Sequence, residues 1–252
     1  MKRELELFFT ALMFFTRLPV PEINYSQEKL NASSRYFPLV GILVGTLTAI
    51  AFMFSSIVFP FKIAILLSMT ASILITGAFH EDGFADTCDG FGGGYTKEKI
   101  LEIMQDSRIG TFGTIGLVLI LGTKFILLSE IPAMIVPIAI VSGHAISRLI
   151  SISLLYSMVY VKAEGKAKPL STALPLGSLI VASLFGLLPL LLFKKFFIFL
   201  VILPLLLTRS FLSYYFRKHI GGYTGDCLGA AQQVSEIIFY ITVYLFAQWK
   251  FI

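Results

Sequence analysis

Residues 80–90 read HEDGFADTCDG and place four carboxylates, Glu81, Asp82, Asp86 and Asp89, directly after the apolar run IAILLSMTASILITGAF. Charge at a bilayer edge is costly, so ionisable residues beside an apolar span are functional candidates. If residues 80–89 continue the preceding helix, steps of about 100° set positions 82, 86 and 89 within roughly 60° of one another. Three carboxylates on one helical face repel unless a cation lies between them. Hard oxygen donors of this kind suit Mg²⁺, which takes one or two carboxylates together with substrate phosphates.

The segment KEKILEIMQDSRIG reads as a second helix, with Glu98, Glu102 and Asp106 at i, i+4 and i+8, a spacing that brings Asp106 toward the first cluster. Glu98 and Glu102 alternate with Lys97 and Lys99 and read as a solvated face. Between the two helices, Gly92, Gly93 and Gly94 either make a turn or let backbone amides approach a phosphate. The segment GGYTGDCLGAAQQ, 221–233, is a glycine-rich turn that opens a helix, a form suited to cradling an anion; its Asp226 is either an N-cap or a ligand.

Basic residues complete the set. Arg148 and Arg209 fall inside apolar spans, and an intramembrane arginine needs a partner, either a bound diphosphate or a protein carboxylate. Lys124 reads as snorkelling from its span. His80 abuts the acids as base, metal ligand or interfacial residue, whereas His144 and His219 carry no spacing signal. One histidine beside the lone Cys88 does not make a zinc site. Nothing in the chain points to a serine nucleophile.

The elements that must position these groups are membrane helices. Of 252 residues, 56% are hydrophobic and 14% charged, with a mean hydropathy of +0.85; a soluble domain is about a quarter charged. Apolar runs near 38–59, 63–80, 111–130, 132–157, 175–193, 196–216 and 228–249 predict an all-α, polytopic bundle of about seven transmembrane helices in a single domain, 1–252. The first 22 residues are too short to span and too interrupted, by Arg17, for a signal peptide; they predict an interfacial or re-entrant helix. Lys2, Arg3, Arg17, Lys29, Arg35, Lys97, Lys99, Arg108, Lys162, Lys166, Lys168, Arg217 and Lys218 fall on one side, against Lys62, Lys194, Lys195 and Lys250 on the other. The richer side is cytoplasmic by the positive-inside rule, so 81–110, 158–174 and 217–227 share the cytoplasmic face. Cys88 and Cys227 are placed in loops there, too few for a disulfide framework. The net charge of +5 is not gathered on a soluble segment, which argues against nucleic acid as a partner.

The motifs FFTRLP (14–19), RYFPLVG (35–41), GAFHEDGFADTCDGFGGG (77–94), EIMQDSRIGTFG (102–113) and GGYTGDCLGA (221–230) run in order along almost the whole chain and resemble the cobalamin synthase family, the adenosylcobinamide-GDP ribazoletransferases. Cys88 stands where a small residue such as alanine is expected. The resemblance implies a Mg²⁺-dependent enzyme of a bacterial or archaeal inner membrane, its site facing the cytoplasm. It would join adenosylcobinamide-GDP to α-ribazole or its 5′-phosphate and release GMP. In that reading Asp82, Asp86, Asp89 and Asp106 hold the metal, and Arg108 and Arg148 neutralise the diphosphate. His80, Glu81 or Asp82 accepts the ribazole hydroxyl proton. Arg17, Arg35, Gly92, Gly93, Gly94, Ser107, Thr224, Gly225 and Asp226 bind substrate. Membrane lipid is the surrounding partner, and a homo-oligomer stays open. Asp86-x-x-Asp89-Gly90 also looks like part of the CDP-alcohol phosphotransferase motif, but the Ala-Arg that should follow is missing. An aspartate-rich prenyltransferase and, outside enzymes, a cation transporter are the alternatives; a transporter would put its acids near mid-membrane.

Overall fold

The computed structural model describes residues 2–161 and 174–252; Lys162, Lys166 and Lys168 lie outside the described residues. The chain is a polytopic helical membrane protein. In order, its α-helices are α1 (Lys2–Phe15), α2 (Gln27–Ser33), α3 (Phe37–Val58), α4 (Phe61–Thr76), α5 (Phe79–Gly93), α6 (Lys97–Ile103), α7 (Thr111–Glu130), α8 (Val136–Ser157), α9 (Leu176–Leu187), α10 (Ile202–Ile220) and α11 (Gly225–Gln248). 3₁₀ turns extend α9 to Phe193 and lead into α10 from Phe196. Six of these stretches are long and apolar enough to cross a membrane, or seven if α4 and α5 are counted as one bent span. Among the described residues the only strand-like pairing is an isolated bridge between Tyr160 and Tyr223.

Local chemistry sets the boundaries. Pro60 precedes α4, Ser26 and Thr96 cap α2 and α6 through their hydroxyls, and Gly221 closes α10 in the left-handed conformation. α1 has 14 residues, about 21 Å at 1.5 Å per residue, which is short of a bilayer core. It buries Leu7, Ala11, Leu12 and Phe15 on one stripe, as an interfacial helix does. α3 and α8 form the closest pairing: a Cβ at Gly41 would run into the backbone carbonyl of His144, and one at Gly45 would stand 2.8 Å from the Cα of Val141. Small residues let membrane helices approach in this way. α7, by contrast, is mostly lipid-facing, with Val118, Leu119 and Ile126 exposed.

Three expectations about these elements are corrected. Residues 80–89 do not continue the preceding span: α4 stops at Thr76, Gly77 and Ala78 are both left-handed (φ 66° and 58°), and α5 leaves at 88°. Arg17 fixes the corner, because its amide donates to the Ile75 carbonyl at 2.8 Å while its side chain fills the space where Gly77 would carry a Cβ. Asp106 is not on the second helix, which ends at Ile103. The two cysteines lie within α5 and α11 rather than in loops, both as free thiols.

Candidate active site

Helix α5 crosses the N-terminal turns of α11 and α7. Its residues His80, Glu81, Gly83, Thr87 and Gly90 are buried, whereas Asp82 is exposed and Asp86 and Asp89 are partly exposed. The 3.6-residue period therefore gives α5 a packed stripe beside an accessible aspartate stripe. Packing is tight where the two glycine-containing motifs meet: a Cβ at Gly83 would stand 3.0 Å from the Cα of Asp226, and one at Gly229 would stand 3.1 Å from the His80 carbonyl. The two segments singled out in the sequence thus form one helix crossing. Asp226 is not the N-cap of α11; Thr224 takes that position and accepts from the Cys227 amide at 3.3 Å.

At the far end of α5, Asp89 bonds the start of the next span. Its carboxylate accepts from Gly110 N at 2.7 Å and from Gly113 N at 2.8 Å, capping α7, whose own N-cap residue is a glycine without a side chain. Asp89, Gly93, Lys99, Asp106, Arg108 and Thr111 line an open cleft of about 850 Å³. Within it Arg108 donates to Asp106 from Nε (3.0 Å) and Nη2 (2.7 Å), which holds the Asp106 carboxyl down at about 2. Ser107 lies inside that turn. The triple glycine has a packing cause: a Cβ at Gly92 would enter the Phe112 ring, and one at Gly94 the α6 backbone at Ile100.

His80, Arg148 and Gly225 meet elsewhere, around a small cavity of about 40 Å³ walled by Phe14, Phe15, Phe37 and Phe79. His80 stacks on Phe15 with ring centroids 5.7 Å apart. Arg148 is 2% exposed; its Nη1 donates to the His144 carbonyl at 2.9 Å, and its Nε has no partner. Arg35 stands apart from both places, 3.8 Å from Glu4 on α1.

Glu81 points into the bundle. Gln233 Nε2 donates to its Oε1 at 3.0 Å, and its Oε2 is buried without a partner. From Gln233 a chain of bonds continues to Gln232, whose Nε2 donates to Glu236 Oε2 at 3.0 Å. Glu236 Oε1 accepts from Tyr240 at 2.9 Å and pairs with Lys124 Nζ at 2.8 Å. Lys124 therefore does not snorkel; it is 5% exposed inside a salt bridge. Sequence reasoning missed Glu236, Gln233 and this pair. The available signal was two opposite charges at similar depth in two spans, 124 in α7 and 236 in α11.

Among the described residues no three His, Cys, Asp or Glu side chains converge as a metal site. Asp82, Asp86, Asp89 and Asp106 are thus spread along α5 and its cleft rather than closed on one point. Hard oxygen donors remain accessible there, an arrangement that fits Mg²⁺ carried with substrate phosphates and not a preformed all-protein cage.

The chain is 47% identical over 248 residues to a Shewanella frigidimarina protein, covering 96% of this chain and 95% of that one. It is 46% identical over 251 residues to one from Shewanella amazonensis, covering 97% and 96%, and 47% over 234 residues to one from Ralstonia pickettii, covering 91% of each. All three are named adenosylcobinamide-GDP ribazoletransferase. No solved structure matches. The family model for cobalamin-5-phosphate synthase matches residues 7–244, so the acidic helix and the glycine-rich turn that packs on it both fall within the match, and the chain belongs to the cobalamin-5-phosphate synthase family.

Proposed function

We propose that this chain transfers the adenosylcobinamide phosphate moiety of adenosylcobinamide-GDP to α-ribazole or its 5′-phosphate, releasing GMP at a late step of cobalamin synthesis. The observation that carries the reading is the α5–α11 crossing, which holds an accessible aspartate stripe beside a buried glutamate. Displacing GMP from a diphosphate demands charge neutralisation and alignment rather than a covalent enzyme intermediate. Asp82 and Asp86 would hold Mg²⁺, which supplies charge neutralisation to the diphosphate when bound.

The remaining roles belong to side chains alone. Arg108 and Lys99, in the open cleft, present cations to the diphosphate. Asp106 keeps the Arg108 fork in place before substrate arrives. Glu81 is the group best built to accept the attacking hydroxyl proton: one oxygen is held by Gln233, and the other is unpartnered. Asp89 anchors α5 to α7 through backbone amides, a positioning role. The mid-membrane carboxylate Glu236 is taken up by Lys124, Tyr240 and Gln232, which disfavours transport of a cation through it.

The test is product analysis on purified protein supplied with adenosylcobinamide-GDP, α-ribazole and Mg²⁺. GMP and a ribazole-bearing corrinoid should form in equal amounts, and Glu81→Gln should lose at least a hundredfold in kcat, as removal of a general base does. GMP release without α-ribazole, or turnover unaffected by Glu81→Gln, would refute the assignment.

A further inference from the structure

The sequence TRSFLSYYFRK sets Arg209, Ser213 and Arg217 at i, i+4 and i+8 on α10, with Ser210, Tyr214 and Lys218 on the adjoining stripe. These six residues line a groove of about 520 Å³ that shares no residue with the acidic cleft or the aromatic cavity. The C-terminus of α8 draws the two guanidinium groups together. Arg209 Nη2 donates to the Ser153 carbonyl at 3.1 Å and to the Ser157 hydroxyl, and Arg217 Nη2 donates to the Ser157 carbonyl. Terminal carbonyls of a helix lack intrahelical donors and carry partial negative charge, so they attract both cations. A dipole end does not neutralise three full charges. Among the described residues, none of Arg209, Arg217 and Lys218 forms an ion pair.

On the side of this groove toward the bilayer, α10 exposes Leu203, Leu206 and Leu207, within about two turns of Arg209 and about three to four turns from Arg217 and Lys218 on the same helical face. Tyr214 is also exposed beside the cations, as aromatic residues at headgroup level are. The profile is a cationic groove continuous with an apolar strip. A free nucleotide or inorganic anion has no use for the strip; an amphiphile uses both halves.

We infer that α10 and the C-terminus of α8 form a headgroup site for an anionic phospholipid. Its phosphate lies among Arg209, Arg217 and Lys218, and its chains lie along Leu203, Leu206 and Leu207. The site rests on charge and packing on the lipid-facing surface and is independent of the transferase reaction.

Thermal unfolding of the full chain in bilayer discs tests it. Discs of phosphatidylcholine alone would be compared with discs containing increasing fractions of phosphatidylglycerol, and with phosphatidylcholine discs plus inorganic phosphate. The expected result is a higher Tm with phosphatidylglycerol, weakened by salt, and no shift with inorganic phosphate. Arg209→Gln/Arg217→Gln/Lys218→Gln should lose the phosphatidylglycerol dependence. Lys218→Gln, which breaks no ion pair and lies on an exposed position, should raise the phosphatidylglycerol fraction for half-maximal shift about fivefold, the worth of one interfacial charge. Each comparison is made within one variant, so general destabilisation cancels, and Lys218→Gln carries the test if the triple variant does not fold. An unchanged phosphatidylglycerol effect in Lys218→Gln, or an equal shift from inorganic phosphate, overturns the site. So does a rise in KM for adenosylcobinamide-GDP in Lys218→Gln with the lipid effect intact.

Discussion

The acidic residues of HEDGFADTCDG divide into different tasks by where α5 turns them. Asp82 and Asp86 face accessible space, Asp89 caps α7, and Glu81 faces inward to Gln233. Asp89→Asn should therefore cost about 1 kcal/mol of stability, the range of a lost cap bond, while leaving the Mg²⁺ dependence proposed for the reaction unchanged. Thermal unfolding beside a Mg²⁺ titration separates the two effects. Asp106 behaves as a lowered acid: its folded-state value near 2 lies below the usual 3.8, so the turn it makes with Arg108 is intact above about pH 4 and is lost as pH falls through 2. Pepsin cleavage between 104 and 112, normalised at each pH to cleavage of an unstructured reference peptide, should accelerate over that window, and an equal normalised rate at pH 4 and pH 2 would contradict it. Spacing alone revealed that 82, 86 and 89 share a face. It could not reveal that Asp89 would spend its oxygens on Gly110 and Gly113, because that depends on how far α7 lies from the end of α5.

At the scale of helices, the apolar runs located each span to within a few residues, since about 20 apolar residues leave little freedom in a bilayer. The corner between α4 and α5 was hidden because Gly77 and Ala78 sit inside an unbroken apolar run, and only Arg17 packed on Gly77 shows why the chain turns there. The α5–α11 crossing depends on Gly83. Gly83→Ala places a methyl 3.0 Å from the Asp226 Cα and should cost about 1–3 kcal/mol by overpacking. Because the crossing carries both motifs, kcat should fall further than stability does. A variant with wild-type kcat would mean that the crossing does not set the reacting geometry.

Across the whole molecule, the bundle is held by a polar layer that composition alone could not expose. Lys124 and Glu236 pair from α7 and α11 in the bilayer interior, with Tyr240 and Gln232 completing the carboxylate's bonds. Lys124→Met leaves a buried carboxylate uncompensated and should cost about 3–5 kcal/mol, whereas Lys124→Met/Glu236→Leu should recover most of that loss. A double variant no more stable than the single one would show that the pair is not the relevant partnership. The meeting of Tyr160 with Tyr223, and of α5 with α11, gathers the stretches before 161 and around 80–93 and 221–233 at one end of the bundle, as the lysine and arginine distribution implied.

The central claim is that the accessible aspartate stripe of α5 engages the diphosphate through Mg²⁺. The direct measurement is the rate of GMP release against Mg²⁺ concentration for wild type, Asp82→Asn and Asp86→Asn, with correct insertion confirmed for each. The account predicts that both variants need at least about tenfold more Mg²⁺ for half-maximal rate, or lose turnover at any concentration, as loss of a carboxylate ligand implies. Wild-type Mg²⁺ dependence and near-normal turnover in both would contradict it and return the aspartates to a solvated helix face.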